Sequence, residues 1–172
     1  MQYYIIEHDK DYTDSIEIVN WFGKIDVEKM VPEKYIELED LYVLEVKGNE
    51  LLDIICYPFF LVSKMAKYCI RAYEPNIEFT SVALWNKQQK EVYEYYIPHL
   101  DKVKILSDKS KFKYNTTYVE NPLLNKKVSI DKYIFSMADL EKKHIVLKKE
   151  LAESMLKRGV RGIRFIGIEE EK

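Results

Sequence analysis

The chain has 172 residues, a mass of 20.6 kDa and a formal net charge of −2. With 47% hydrophobic, 33% charged and 13% aromatic residues, it can bury a core without disulfides or a structural metal, and its composition is not that of a disordered chain. No apolar run approaches the roughly 20 residues of a membrane span. The N-terminal stretch Met1–Glu7 lacks the basic start and long apolar segment of an export signal, and two cysteines fit a reducing cytoplasm. The expectation is one cytoplasmic domain over 1–172, with 1–40 as an appended segment and 107–127 as a polar loop or ribbon.

The small net charge hides a segregation. Residues 1–50 carry a net −8, residues 51–100 none, residues 101–164 a net +8 and the last eight −2. Such a distribution either steers a charged partner or balances within the fold.

Aromatic and β-branched residues predict a strand at Tyr3–Ile6, and a weaker one at Ile16–Trp21 follows the polar loop Asp9–Asp14. The connection after Pro32 leads to a strand at Leu41–Val46, ended by Gly48-Asn49. Ser63 is a helix N-cap, Ala66, Cys69 and Ile70 with Met65 and Tyr73 form an apolar stripe, and Pro75 stops the helix. Ile77–Trp85 and Val92–Ile97, joined by the polar turn Asn86–Lys90, predict an antiparallel hairpin. Further strands are expected at Val103–Leu106, Lys132–Met137 and Ile145–Leu147. The final helix, 148–158, buries Leu151, Met155 and Leu156, pairs Glu153 with Lys157 and ends at Gly159. The strand Gly162–Ile168 follows. Segments 61–79 and 147–165 align at an offset of 86, which raises the question of an internal duplication. The predicted fold class is α+β: a mostly antiparallel sheet with a central hairpin and two amphipathic helices packed on it.

Catalytic signals are sparse. His8, His99 and His144 are dispersed, and Cys56 and Cys69 lack ligand spacing, so no zinc site is expected and both thiols read as core. Gly159-Val160-Arg161-Gly162 lies between a helix and a strand, the reverse of a phosphate loop. Ser154 and Lys157 match S-x-x-K without the rest of that site, and Glu37, Glu39 and Asp40 read as a solvated loop. Phe112, Tyr114 and Tyr118 interleave with Lys111 and Lys113 as in a nucleic-acid groove, but the pI near 6.0 weighs against it. No catalytic, cofactor or metal residue is assigned.

The stretch from Ile145 to Phe165, with Gly159, Val160, Gly162, Ile163 and Phe165 in the order glycine, aliphatic, x, glycine, aliphatic, x, phenylalanine, resembles the ending of a group of bacterial immunity proteins from polymorphic toxin systems. Pro58–Met65 ahead of a helix, and a hairpin ending in Tyr93–Ile97, are similar to the middle of that group. The resemblance implies a non-catalytic protein that binds one cognate toxin. On that reading the acidic segment supplies the partner surface: Glu7, Asp9, Asp11 and Asp14 would speed encounter, and Tyr12 or Trp21 would anchor. The alternatives are an enzyme or small-ligand binder with a pocket lined by Tyr93, Tyr95 and Tyr96, and a scaffold module. Membrane and nucleic-acid partners are not expected, and homo-oligomers are left open.

Overall fold

The computed structural model describes residues 2–23, 25–27, 29–30, 42–112, 119–125, 128, 130–138 and 144–171, with backbone alone at 111–112 and 119–121. With strands numbered along the chain, the first sheet runs, in spatial order, β11 (Leu123–Leu124), β14 (Ile163–Glu170), β1 (Tyr3–His8), β13 (Ile145–Lys148), β12 (Ile134–Met137) and β8 (Lys102–Val103). The second runs β2 (Glu17–Val19), β3 (Tyr42–Lys47), β6 (Phe79–Asn86), β7 (Glu91–Pro98), β5 (Leu61–Val62) and β4 (Ile54–Ile55). A separate ribbon pairs β9 (Lys111–Phe112) with β10 (Val119–Asn121).

The α+β class holds, but the single sheet becomes two mixed ones. The pairs β3/β6, β8/β12 and β11/β14 are parallel. The hairpin is central only to the second sheet. Hydrophobic pattern locates strands but does not choose their partners, and the two-residue strands β4, β5, β8 and β11 are too short to show a period. The N-terminal segment is not an appendage, because β1 is bonded by β14 on one side and β13 on the other. Within 107–127, β11 joins the first sheet, while Tyr114 and Tyr118 lie outside the described residues, as do Glu37, Glu39 and Asp40.

The two sheets share a plan. Read as β3, β6, β7, β5, β4, the neighbours are parallel and then three times antiparallel. Read as β11, β14, β1, β13, β12, they follow the same sequence. Helix α1 (Lys64–Tyr73) joins β5 to β6, and α2 (Lys149–Lys157) joins β13 to β14. The chain therefore contains a structural repeat in which β1, from the N-terminus, takes the place that β7 holds in the other unit. The helices match at an offset of 85 rather than 86: the buried Ala66, Lys67, Cys69 and Ile70 correspond to Leu151, Ala152, Ser154 and Met155. One residue turns a helix face by about 100°. That explains why Leu156 and Met65, both assigned to the buried stripe, are 57% and 47% exposed.

Helix α1 begins as its sequence requires. The Ser63 hydroxyl accepts from Ala66 N at 3.3 Å and donates to Asp53 Oδ1 at 2.6 Å. Helix α2 has no side-chain cap, and its described ion pair is Lys149–Glu153 at 3.7 Å rather than Glu153–Lys157. Facing side chains of both helices and both sheets form one buried cluster that includes Cys69, Phe79, Leu147, Leu151 and Met155. The buried Lys67 lays its ammonium 3.4 Å from the Tyr96 ring centroid, and 5.3 Å from that of Phe79, so the aromatic faces stabilise its charge. Leu44, Val82, Leu84 and Tyr95 fill the other face of the second sheet, and Tyr3, Phe135 and Val146 that of the first.

The turn after α2 bonds the units together. Gly159, at φ +71°, supplies the left-handed residue that ends the helix. Gly162, at φ +90°, lies so close to β4 that a Cβ would stand 2.6 Å from the Ile54 carbonyl oxygen. Ile54 N donates to the Arg161 carbonyl at 3.1 Å, Arg161 N donates to Asp53 Oδ2 at 3.0 Å, and the guanidinium meets Glu50 at 3.3 Å. Opposite, Glu74 at the end of α1 accepts from Tyr133 N at 2.6 Å. The end of each helix thus holds the other unit's sheet.

Candidate functional site: an aromatic-lipped cleft between the units

Equivalent ends of the two units enclose a cleft of about 900 Å³. The β4–β5 turn, Cys56–Phe60, and the end of β7 at Ile97 form one wall. Ile6 of β1 with Ser136 and Ile145 of the β12–β13 pair form the other. The crossover from β7 to β8, residues 99–102, and the segment 25–27 complete it. Junctions between packed units are where binding sites commonly form.

The lip is aromatic. Trp21 makes edge-to-face contacts with Phe22, Tyr57 and Phe59 at centroid distances of 5.8, 6.0 and 5.5 Å. Such pairs add to area burial and fix ring orientation. Phe22 is nonetheless 87% exposed and Tyr57 72%. Behind the lip, Ile25, Val27 and Phe59 pack on the core of the second sheet, so the exposed rings stand on a packed base.

The remaining predicted site residues lie apart from this lip. Glu7 is half-buried on β1, in register with Arg164, and its charge reaches Cys56 on the cleft wall. Asp9, Asp11, Tyr12 and Asp14 form the turn that crosses from the first sheet to the second. Asp9 Oδ1 accepts from Asp11 N at 3.2 Å, Asp9 O from Tyr12 N at 3.4 Å, and Asp14 Oδ2 from Asn49 Nδ2 at 3.0 Å. Asp9 and Asp14 thus shape the chain, while Asp11 is exposed and Tyr12 half-buried. Of the described ion pairs, Arg161–Glu50 joins the acidic first fifty residues to the basic 101–164.

Two titratable groups that line the cleft, Cys56 and His99, have shifted pKa values. Burial pushes the Cys56 thiol up to about 12, with Glu7 adding to the shift, so it stays protonated and a poor nucleophile at neutral pH. The sequence reading placed Cys56 in the core; it is half-buried and lines the cleft, whereas Cys69 is buried as expected. His99, which lines the cleft, bonds the buried Thr80 Oγ1 at 2.7 Å. Burial lowers the His99 pKa, with Glu78 opposing. His99 also faces an adjoining hollow of about 350 Å³ lined by Glu74 and Lys132. There Lys132 pairs with Asp101 at 2.9 Å, and that hydrogen bond raises the lysine's pKa.

Among the described residues no group of three or more His, Cys, Asp or Glu side chains is placed to hold a metal. No described helix is long and apolar enough to cross a membrane. The three tyrosines of the alternative reading are divided between two faces, with Tyr93 and Tyr95 on one and Tyr96 on the other. Tyr95 and Tyr96 point to opposite faces of the second sheet, as successive strand residues must, and Tyr93 bonds Gln89 Oε1 at 2.8 Å in the hairpin. The tyrosine at the cleft is Tyr57. Its sequence signal was the aromatic run Tyr57-Pro58-Phe59-Phe60, which reads as a lead-in to the helix until Trp21 packs against it. Ser154, of the S-x-x-K match, is buried in α2 and bonded by Arg158. No protein-family model matches the chain, and neither does any curated protein.

Proposed function

We propose that this chain is a non-catalytic immunity protein that neutralises a cognate bacterial toxin in the cytoplasm by binding it. The observation that carries this reading is the pre-ordered cluster of Trp21, Phe22, Tyr57 and Phe59, which leaves two large rings in solvent on a packed base. Exposed aromatic anchors beside a concavity are the usual centre of a protein-binding surface. The helix end Gly159–Gly162, on which the resemblance to immunity proteins rests, serves here to join the two units and so to form the cleft.

The test is co-expression. The product of the neighbouring gene should arrest growth alone and be tolerated when this chain is present, and the two should co-purify. Arrest that continues in cells making the folded chain removes the immunity reading. A second reading, a small-ligand binder, is favoured by the cleft volume of about 900 Å³, which is of the size that holds small molecules.

A further inference from the structure

We propose that the cleft receives a bulky apolar side chain from a basic segment of the partner protein, flanked by lysine or arginine. This rests on the binding role above and specifies the partner's chemistry. Four observations support it. The walls are apolar, with Ile6, Phe60, Ile97 and Ile145 facing the cavity, so the group that enters must be apolar to gain by desolvation. The lip rings Tyr57 and Phe22 are exposed but oriented by Trp21. They can close over an inserted side chain without ordering a loop, and they offer faces to a cation.

The charges around the opening are mostly negative. Asp26 and Asp101 line it beside Lys102, and Glu7 is close enough to act on Cys56. Asp26 and Asp101 meet Lys29 and Lys132 at 3.0 and 2.9 Å, but those contacts are solvent-exposed. Exposed pairs of this kind bind weakly enough to yield to a partner's cation. Finally, the other apolar patch lacks these features. Val43, Trp85 and Val92 are exposed on neighbouring strands β3, β6 and β7, and no described aromatic pair orients Trp85. That patch serves as the control surface.

The probes are two synthetic pentapeptides, Lys-Leu-Phe-Lys-Lys and its glutamate twin Glu-Leu-Phe-Glu-Glu, both capped. Trp85→Phe leaves Trp21 as the only tryptophan, so its emission reports on the lip. The basic peptide should shift that emission saturably and bind about tenfold or more tightly than the acidic one, with the preference shrinking as salt is added. The double variant Phe22→Ala/Tyr57→Ala removes two exposed rings and their contacts with Trp21, so it should still unfold cooperatively, at a somewhat lower midpoint, and lose the preference. Equal affinity for the two peptides, binding that survives the double variant, or a neutral apolar dye that binds where neither peptide does would overturn the proposal. The toxin reading is decided separately by co-expression. Rescue that persists in the double variant overturns the cleft and leaves immunity standing. Peptide binding without rescue by the parent chain leaves the cleft and removes immunity.

Discussion

Replacing Gly162 by alanine should cost far more than the same change at Gly159, three residues earlier in the same turn. Both glycines have positive φ, +71° and +90°, and an L-residue there loses roughly 1–2 kcal/mol. At Gly159 nothing lies within 4 Å of the added Cβ, so that backbone contribution is the whole effect. At Gly162 the Cβ would be 2.6 Å from the Ile54 carbonyl oxygen and 2.8 Å from Leu52 Cβ. Backbone cannot move aside as a flexible side chain does. The turn must back away from β4, which weakens the Ile54 N–Arg161 O and Asp9 N–Gly162 O bonds, each contributing about 0.5–1.5 kcal/mol. The sum is about 2–5 kcal/mol for Gly162→Ala against about 1–2 kcal/mol for Gly159→Ala. Urea denaturation measures both, with the loss read from the midpoint at unchanged m. Equal losses at the two positions would refute the claim that Gly162 is required by its approach to β4.

Three further outcomes follow from burial and titration. Leu151→Ala should cost about 2–5 kcal/mol and Leu156→Ala under about 0.5 kcal/mol, since the first is fully buried and the second 57% exposed; chemical denaturation of the pair checks the offset of 85. Cys56, with its thiol near 12, should react with a thiol reagent far more slowly than a free cysteine at pH 8, and faster as pH rises, because burial disfavours the reactive thiolate. His99 is held below its ordinary value of 6.5, so below that pH the unfolded chain binds more protons. Its contribution to stability is therefore complete above pH 6.5 and declines as pH falls through the folded-state value; pH-dependent denaturation of the parent and His99→Gln should show the parent losing more across that window.

Local chemistry was legible in the sequence and pairing was not. The hydroxyl of Ser63, the breaks at Pro75 and Gly159, and the polar turn between the apolar runs 77–85 and 92–97 act within a few residues, so the sequence reading of them matched the structure. The placement of β1 between β13 and β14 depends on contacts about 140 to 165 residues away, for which one-dimensional pattern carries no signal. The cleft was missed for the same reason. Its lip needs Trp21 beside Tyr57 and Phe59, and its walls come from strands of both units. The acidic segment was identified as a surface feature, but two of its aspartates, Asp9 and Asp14, are engaged in shaping the turn. Trp21, named as an anchor, packs edge-to-face with Phe22, Tyr57 and Phe59.

The most direct test of the binding account is hydrogen exchange on the chain with and without the partner that co-expression identifies. The account predicts slowed exchange at 21–22, 56–60 and 97–102, around the cleft, with the strands carrying Val43, Trp85 and Val92 unchanged. Protection confined to those strands, with the cleft segments exchanging as in the free chain, would contradict it.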